Sequence, residues 1–128
     1  MIKSYKKVVC SLSALLLILS FSLASAKTLP EITSVKNRTS SSITLKILYL
    51  AYAKKDVDIK VKVKNKSTMK TEDMLFEKKS LDKKGIRTLK IDGLLPNTKY
   101  SFKIRVSKKD KNKYTSYSAS KSSKTKTN

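Results

Sequence analysis

The strongest constraint on the fold lies between Leu94 and Val106, where the chain reads Leu-Leu-Pro-Asn-Thr-Lys-Tyr-Ser-Phe-Lys-Ile-Arg-Val. From Tyr100 onward apolar and polar residues alternate strictly. Tyr100, Phe102, Ile104 and Val106 share one parity, and Ser101, Lys103 and Arg105 the other. Successive side chains of a strand point to opposite faces, so the pattern predicts a half-buried strand of an antiparallel sheet. Pro96 has no N–H and Asn97 favours turns, so the chain must bend just before that strand. Leu94 or Leu95 is then buried at the bend, and the Tyr100 ring enters the core immediately after it. In a two-sheet sandwich a tyrosine so placed hydrogen-bonds its hydroxyl back to the corner backbone. A hairpin strand in some other β protein is the competing reading.

The run Leu94-x-Pro96-x-Thr98-x-Tyr100, followed by alternating apolar residues, resembles the E–F corner and F strand of fibronectin type III domains. The resemblance extends over about Pro30 to Lys126, and the chain is similar to the lysine-rich type III modules of Gram-positive surface proteins. It implies an all-β fold, a seven-stranded antiparallel immunoglobulin-like sandwich, with Leu94, Pro96, Thr98 and Tyr100 as its structural corner. Many type III domains fill the core with a tryptophan from the second strand. This chain has no tryptophan. Ile47 stands at that place, so Tyr49, Tyr100 and Phe102 are expected to supply the missing bulk. No Arg-Gly-Asp tripeptide is present, and integrin-style recognition does not carry over. Leu95-Pro96-Asn97-Thr98-Lys99 also resembles a sortase anchoring signal, but Lys99 stands where that signal needs glycine and no apolar tail follows.

The remaining strands follow from periodicity and turn residues. Glu31–Lys36 predicts a first strand with Ile32 inward and Val35 as a second candidate, and 37–42 is a polar turn. Residues 43–50 give the second strand, with Ile43, Leu45 and Ile47 inward. Val57–Lys64 alternates without a break, apolar on one face and charged on the other. A short strand is predicted within 73–78, built on Met74 or Leu75 and Phe76. Residues 80–84 connect it, through a turn at Gly85, to a strand with Leu89 and Ile91 inward. After the organising strand, 107–113 is a lysine-rich loop, and a last strand runs from Tyr114 to about Lys121 with Tyr117 and Ala119. The stretch 122–128 lacks apolar residues and is expected to fray.

The first 26 residues predict a secretory signal peptide. Lys3, Lys6 and Lys7 form the basic start, an apolar run follows from Leu12 to Leu23, and Ala24-Ser25-Ala26 supplies the small residues before a cut. The run is shorter than the roughly 20 residues that span a bilayer, so no transmembrane span is expected in the mature form. An uncleaved N-terminal anchor is the alternative. The domain division expected is thus 1–26 as signal and 27–128 as one domain, with its core at about 30–121. The single cysteine, Cys10, falls in the signal, leaving no disulfide to stabilise that domain.

Charge and composition bound the function. The net charge is +21, and removing the three signal lysines leaves 27 Lys and Arg against 9 acidic residues, a net of +18. Such an excess attracts polyanions and leaves the fold unspecified. With no histidine and no cysteine beyond Cys10, the usual acid–base and nucleophile pairs are missing, so no enzyme activity is expected. An enzyme fragment would need a catalytic group, and the carboxylates Glu72, Asp73, Glu77 and Asp82 read as solvated loop charges. No cofactor or metal is expected.

Binding has more support. If the third strand and the F strand are neighbours, as the resemblance implies, then Lys60, Lys62, Lys64, Lys103 and Arg105 share one outer sheet face. Lys108, Lys109, Lys111 and Lys113 would lie in the adjoining loop. The function predicted is a secreted, monomeric binding or adhesion module whose partner is a protein or an anionic polysaccharide at a cell surface. The alternative is a binder of anionic polymers (glycosaminoglycan, teichoic acid or anionic lipid) through that face. No specific nucleic acid is expected. The competing account is a solvated face, since Lys46 and Lys90 lie elsewhere. A concentration of cations on one face would decide for a site. Asn37-Arg38-Thr39 and Asn65-Lys66-Ser67 match the glycosylation sequon.

Overall fold

The computed structural model describes residues 29–108 and 113–128. The expected signal peptide therefore lies outside the described residues. Seven strands form in order: β1 Glu31–Lys36, β2 Ile43–Leu48, β3 Asp56–Asn65, β4 Thr71–Ser80, β5 Ile86–Ile91, β6 Lys99–Lys108 and β7 Lys121–Lys124. A short 3-10 turn, Leu50–Tyr52, ends the second-strand run, which the sequence had extended to Leu50. The strands make two antiparallel sheets, ordered β1-β2-β5 and β4-β3-β6-β7. β4 pairs with β3 and not with the first sheet. That separates this sandwich from the constant-type immunoglobulin arrangement, where the fourth strand lies beside the first, second and fifth.

The core between the sheets follows the parity read from sequence. β3 buries Val57, Ile59, Val61 and Val63 and turns its polar residues outward. β6 buries Tyr100, Phe102, Ile104 and Val106, and these meet Ile43, Leu45 and Ile47 of β2 with Leu89 and Ile91 of β5. Ile47, Tyr49, Tyr100 and Phe102 all belong to this cluster, and the Tyr100 and Phe102 rings stack with centroids 6.4 Å apart. The aromatic bulk expected in place of a tryptophan is thus present. Leu81 is also buried, at 2% exposure, although its segment reads as a mere connection.

Two irregularities decide which residues face inward. Ile32 and Val35 have opposite parity, so a regular strand could not bury both. Between Ile32 and Ser34 the β1–β2 register shifts, Ile32 pairing with Ile47 and Val35 with Leu45. The extra residue is Thr33, and Val35 packs against the core together with Ile32. A second bulge lies on β4, where Val57 opposes Lys79 but Ile59 opposes Phe76. Lys78 takes φ +49° there, and its N–H donates to Asp58 Oδ1 at 3.0 Å. Of the residues proposed for this strand, Met74 and Phe76 pack on the core, and Leu75 is half exposed on the outer face.

The corner before β6 is built as read. Leu94 is buried and Leu95 exposed, Asn97 takes φ +49°, and the Leu95 N–H donates to the Tyr100 hydroxyl at 2.8 Å. The Thr98 hydroxyl donates to the Pro96 carbonyl at 2.8 Å.

The C-terminal segment corrects two expectations. The last strand is Lys121–Lys124, not 114–121, and the chain beyond it is tied down through Lys126 rather than frayed. Thr125 is 3% exposed. Its hydroxyl donates to the Leu95 carbonyl at 2.6 Å and accepts from the Thr98 N–H at 2.9 Å. The Asn97 N–H donates to the Lys126 carbonyl at 3.0 Å, and the Lys126 N–H to the Thr39 carbonyl at 2.9 Å. The absence of apolar residues was a poor guide because a polar side chain can be buried once its groups are paired. The stretch before β7 follows β6 without forming a regular ladder. Thr115 N–H donates to the Val106 carbonyl and Ser118 N–H to the Ile104 carbonyl. In return, the Val106 and Ile104 N–H groups donate to the Thr115 and Ser118 hydroxyls, at 3.1 and 3.0 Å. Side chains replace carbonyls as acceptors, which frees this stretch from the period of two.

Candidate functional site: a cationic and aromatic sheet face

The outer face of the β4-β3-β6-β7 sheet gathers the cations that the sequence assigned to it. Register places Lys60 opposite Arg105 and Lys62 opposite Lys103, with Lys64 opposite Ser101. On the other side of β3, Lys60 faces Leu75, Lys62 faces Asp73 and Lys64 faces Thr71. Like charges directly opposite one another destabilise a sheet. The face therefore carries a local cost that the strands' inward residues offset by core burial.

Tyr114 and Tyr117 cover part of this face. The Lys60 ammonium lies 4.7 Å from the Tyr114 ring centroid, and the Lys62 ammonium 4.7 Å from that of Tyr117. The Arg105 guanidinium is 5.0 Å from one ring and 4.9 Å from the other. Each ring thus serves two cations, through attraction of positive charge to the negative ring face. The Tyr114 hydroxyl is held neutral further into alkali than usual. Burial is the main cause, the Asp58 charge adds to it, Arg105 pulls the other way and Glu77 adds slightly. The Arg105 Nε is buried without a hydrogen-bond partner among the described residues, and the two rings flank this guanidinium.

The sequence placed Tyr117 in a last strand and did not connect either tyrosine with the cations. Tyr114 and Tyr117 are three apart and would face opposite ways in a regular strand. The irregular path held by Thr115 and Ser118 brings both rings to one face. The legible signal was the pair of tyrosines flanked by hydroxyl residues, but nothing in the local pattern fixes that path.

The opposite face of the sandwich is arranged differently. There Lys36 and Lys90 each oppose Thr44, and Lys46 opposes Ser34 and Thr88. No lysine there stands directly against another cation across a strand pair. Among the described residues the only ion pair is Lys90–Asp92, at 3.6 Å and well exposed. The five cations of the β3–β6 face therefore have no carboxylate within 4 Å among the described residues. Of the loop cations in the candidate set, Lys113 is exposed. Lys109 and Lys111 lie outside the described residues, as does the side chain of Lys108.

The three-plus-four sandwich and the tyrosine-anchored corner define the class of fold as fibronectin type III-like. No family model matches the chain, and no curated protein does. Solved structures do resemble it. A structure described as a myokine superposes with a TM-score of 0.62 at 12% identity, covering 77% of this chain and 97% of the other. The sensor domain of the anti-sigma factor RsgI4 from Pseudobacteroides cellulosolvens gives 0.56 at 19% identity, over 77% of this chain and 74% of that one. The FN1–FN3 domains of chicken CNTN1 give 0.57 at 16% identity, covering 76% of this chain and 30% of the other. At such identities the likeness speaks for the fold alone.

Proposed function

We propose that this protein is a secreted, non-catalytic binding module that meets an anionic polymer at a cell surface. Its contact surface is the outer face carrying Lys60, Lys62, Lys64, Lys103 and Arg105. The observation that carries the reading is the concentration of unpaired cations on this one face, set against the dispersed lysines of the other. A merely solvated surface has no reason to place Lys62 against Lys103 and Lys60 against Arg105, since each pairing costs stability. Tyr114 and Tyr117 support it further, because they order the charged side chains before any ligand arrives and so lower the entropy lost on binding. The non-catalytic part rests on the lack of histidine and on a lone cysteine at position 10.

The test compares two triple variants of equal charge on immobilised heparin and teichoic acid. Lys60, Lys62 and Lys103 are changed to glutamine in one, and Lys36, Lys46 and Lys90 in the other. These are surface changes, so stability should move by no more than about 0.5 kcal/mol per site. The first variant should elute at clearly lower salt than the second, and wild-type retention should fall steeply toward physiological ionic strength. Equal losses in the two variants would mean that the charge acts generally and that no face is specific.

A further inference from the structure

Within the cationic face lies an open depression of about 270 Å³ lined by Lys62, Lys64, Lys103, Ser101 and Thr71. We propose that it is a seat for one tetrahedral oxyanion, a sulfate or phosphate ester group carried on an anionic glycopolymer. The proposal rests on the reading of this face as a polyanion site and names the chemistry that the site selects.

The lining residues come from two adjoining rows. Ser101, Lys64 and Thr71 align across β6, β3 and β4, and Lys103 stands beside Lys62 in the next row. Neighbouring strands are about 4.8 Å apart, and rows two residues along a strand are about 6.8 Å apart. The two rows thus frame a space on the scale of one sulfate or phosphate. Three lysines and two hydroxyl residues line it, and each of these side chains is able to donate. A planar carboxylate offers two oxygens in one plane, whereas around a tetrahedral centre a sulfate monoester offers three non-bridging oxygens and a phosphodiester two, with its bridging oxygens beside them. Occupancy would also relieve the repulsion between Lys62 and Lys103, which stand directly opposite.

The rest of the face divides the labour. Lys60 and Arg105 are engaged with the Tyr114 and Tyr117 rings and lie outside the depression, where they supply steering potential. Lys62 belongs to both parts, since its ammonium rests over Tyr117 while its residue lines the seat. Asp73, opposite Lys62 on β4, is the carboxylate nearest in register and bounds the seat on that side. Its charge opposes an incoming anion.

The decisive variants remove hydroxyls and leave the charge unchanged. Ser101→Ala combined with Thr71→Val is measured in the secreted protein against three polymers: heparin, poly(glycerol phosphate) and hyaluronan, the last bearing carboxylates alone. The loss of two hydrogen bonds should weaken binding about fivefold or more on the polymer whose ester group fits the seat, with hyaluronan unaffected. Whichever of heparin and poly(glycerol phosphate) shows the loss identifies sulfate or phosphate as the group taken. Asp73→Asn should strengthen the same interaction. Unchanged affinity for both ester polymers in the hydroxyl variant, while the Lys60/Lys62/Lys103 variant loses binding, would overturn the seat and leave the face standing. Equal weakening on all three polymers would overturn it as well. If the wild-type protein binds none of them, the polyanion reading itself falls.

Discussion

The peptide of Leu95 is held at both ends by residues far apart in sequence, which makes the corner the sharpest test of the fold. Its N–H donates to the Tyr100 hydroxyl at 2.8 Å, and its carbonyl accepts from the Thr125 hydroxyl at 2.6 Å. Tyr100→Phe keeps a ring that is 5% exposed and deletes the first bond alone. If the Leu95 N–H is left buried and unpaired, the cost is about 1–3 kcal/mol. Thr125→Val preserves shape, removes the second bond, and also strips the buried Thr98 N–H of its acceptor. Its cost should therefore fall in the upper half of about 1–3 kcal/mol. Urea melts of both variants measure the losses, and thermal melts should drop by about 4–8 °C for each kcal/mol in a domain of this size. Because the two residues grip one peptide, the double variant should depart from additivity by about 0.5 kcal/mol or more. A Thr125→Val variant that melts like wild type would refute the argument, since a frayed tail loses nothing by the change.

Two further predictions concern the turn at Asp82–Gly85 that leads into β5. Gly85 takes φ +77°, and a Cβ built there would lie 2.6 Å from the Tyr49 carbonyl oxygen, whereas Gly93, at φ +75°, has open space around it. Gly93→Ala should thus cost about 1–2 kcal/mol for its left-handed backbone. Gly85→Ala should cost clearly more in the same denaturant melts, and equal losses would mean that the contact with Tyr49 gives way freely. The Asp82 carboxylate is held below its usual range chiefly by the Ile86 N–H, against an opposing effect of burial, and with help from the Lys84 N–H and charge and the Gly85 N–H. In acid the unfolded chain therefore takes up this proton first, so stability rises with pH through that window. The contribution is present above the unfolded value of about 3.9 and lost as pH falls through the lower folded value. Melts of Asp82→Asn should show a shallower pH dependence there, and an unchanged slope would count against the turn.

Much of the cationic face was legible because strand parity is a local property. Lys60, Lys62 and Lys64 had to lie opposite Val61 and Val63, and Lys103 and Arg105 opposite Phe102 and Ile104, whatever the partner strands. Their meeting on one sheet came from the resemblance at Leu94–Tyr100, since nothing within β3 names its neighbour. The clearest errors were at the C-terminal end, and they share a cause. Hydrophobic pattern reports burial only where burial is apolar. Thr125 is buried through hydrogen bonds to Leu95 and Thr98, partners about 30 positions away, and no window of sequence around it carries that information.

Val35, Tyr114 and Tyr117 mark the same division. The alternation in β1 places Ile32 and Val35 on opposite faces until Thr33 bulges out, and a bulge is settled by what the partner strand offers. The tyrosines reach the cations because Thr115 and Ser118 lend their hydroxyls to β6 backbone N–H groups and bend the chain out of register. Residue order alone set most of the strands, the inward faces of β2, β3, β5 and β6, and the net charge, because these depend on spacing along one chain. Which cations stand side by side, which rings cover them and where the five-residue depression opens were decided by the pairing of strands distant in sequence. Those depend on long-range hydrogen bonds, whose partners the chain acquires only when both sheets are in place.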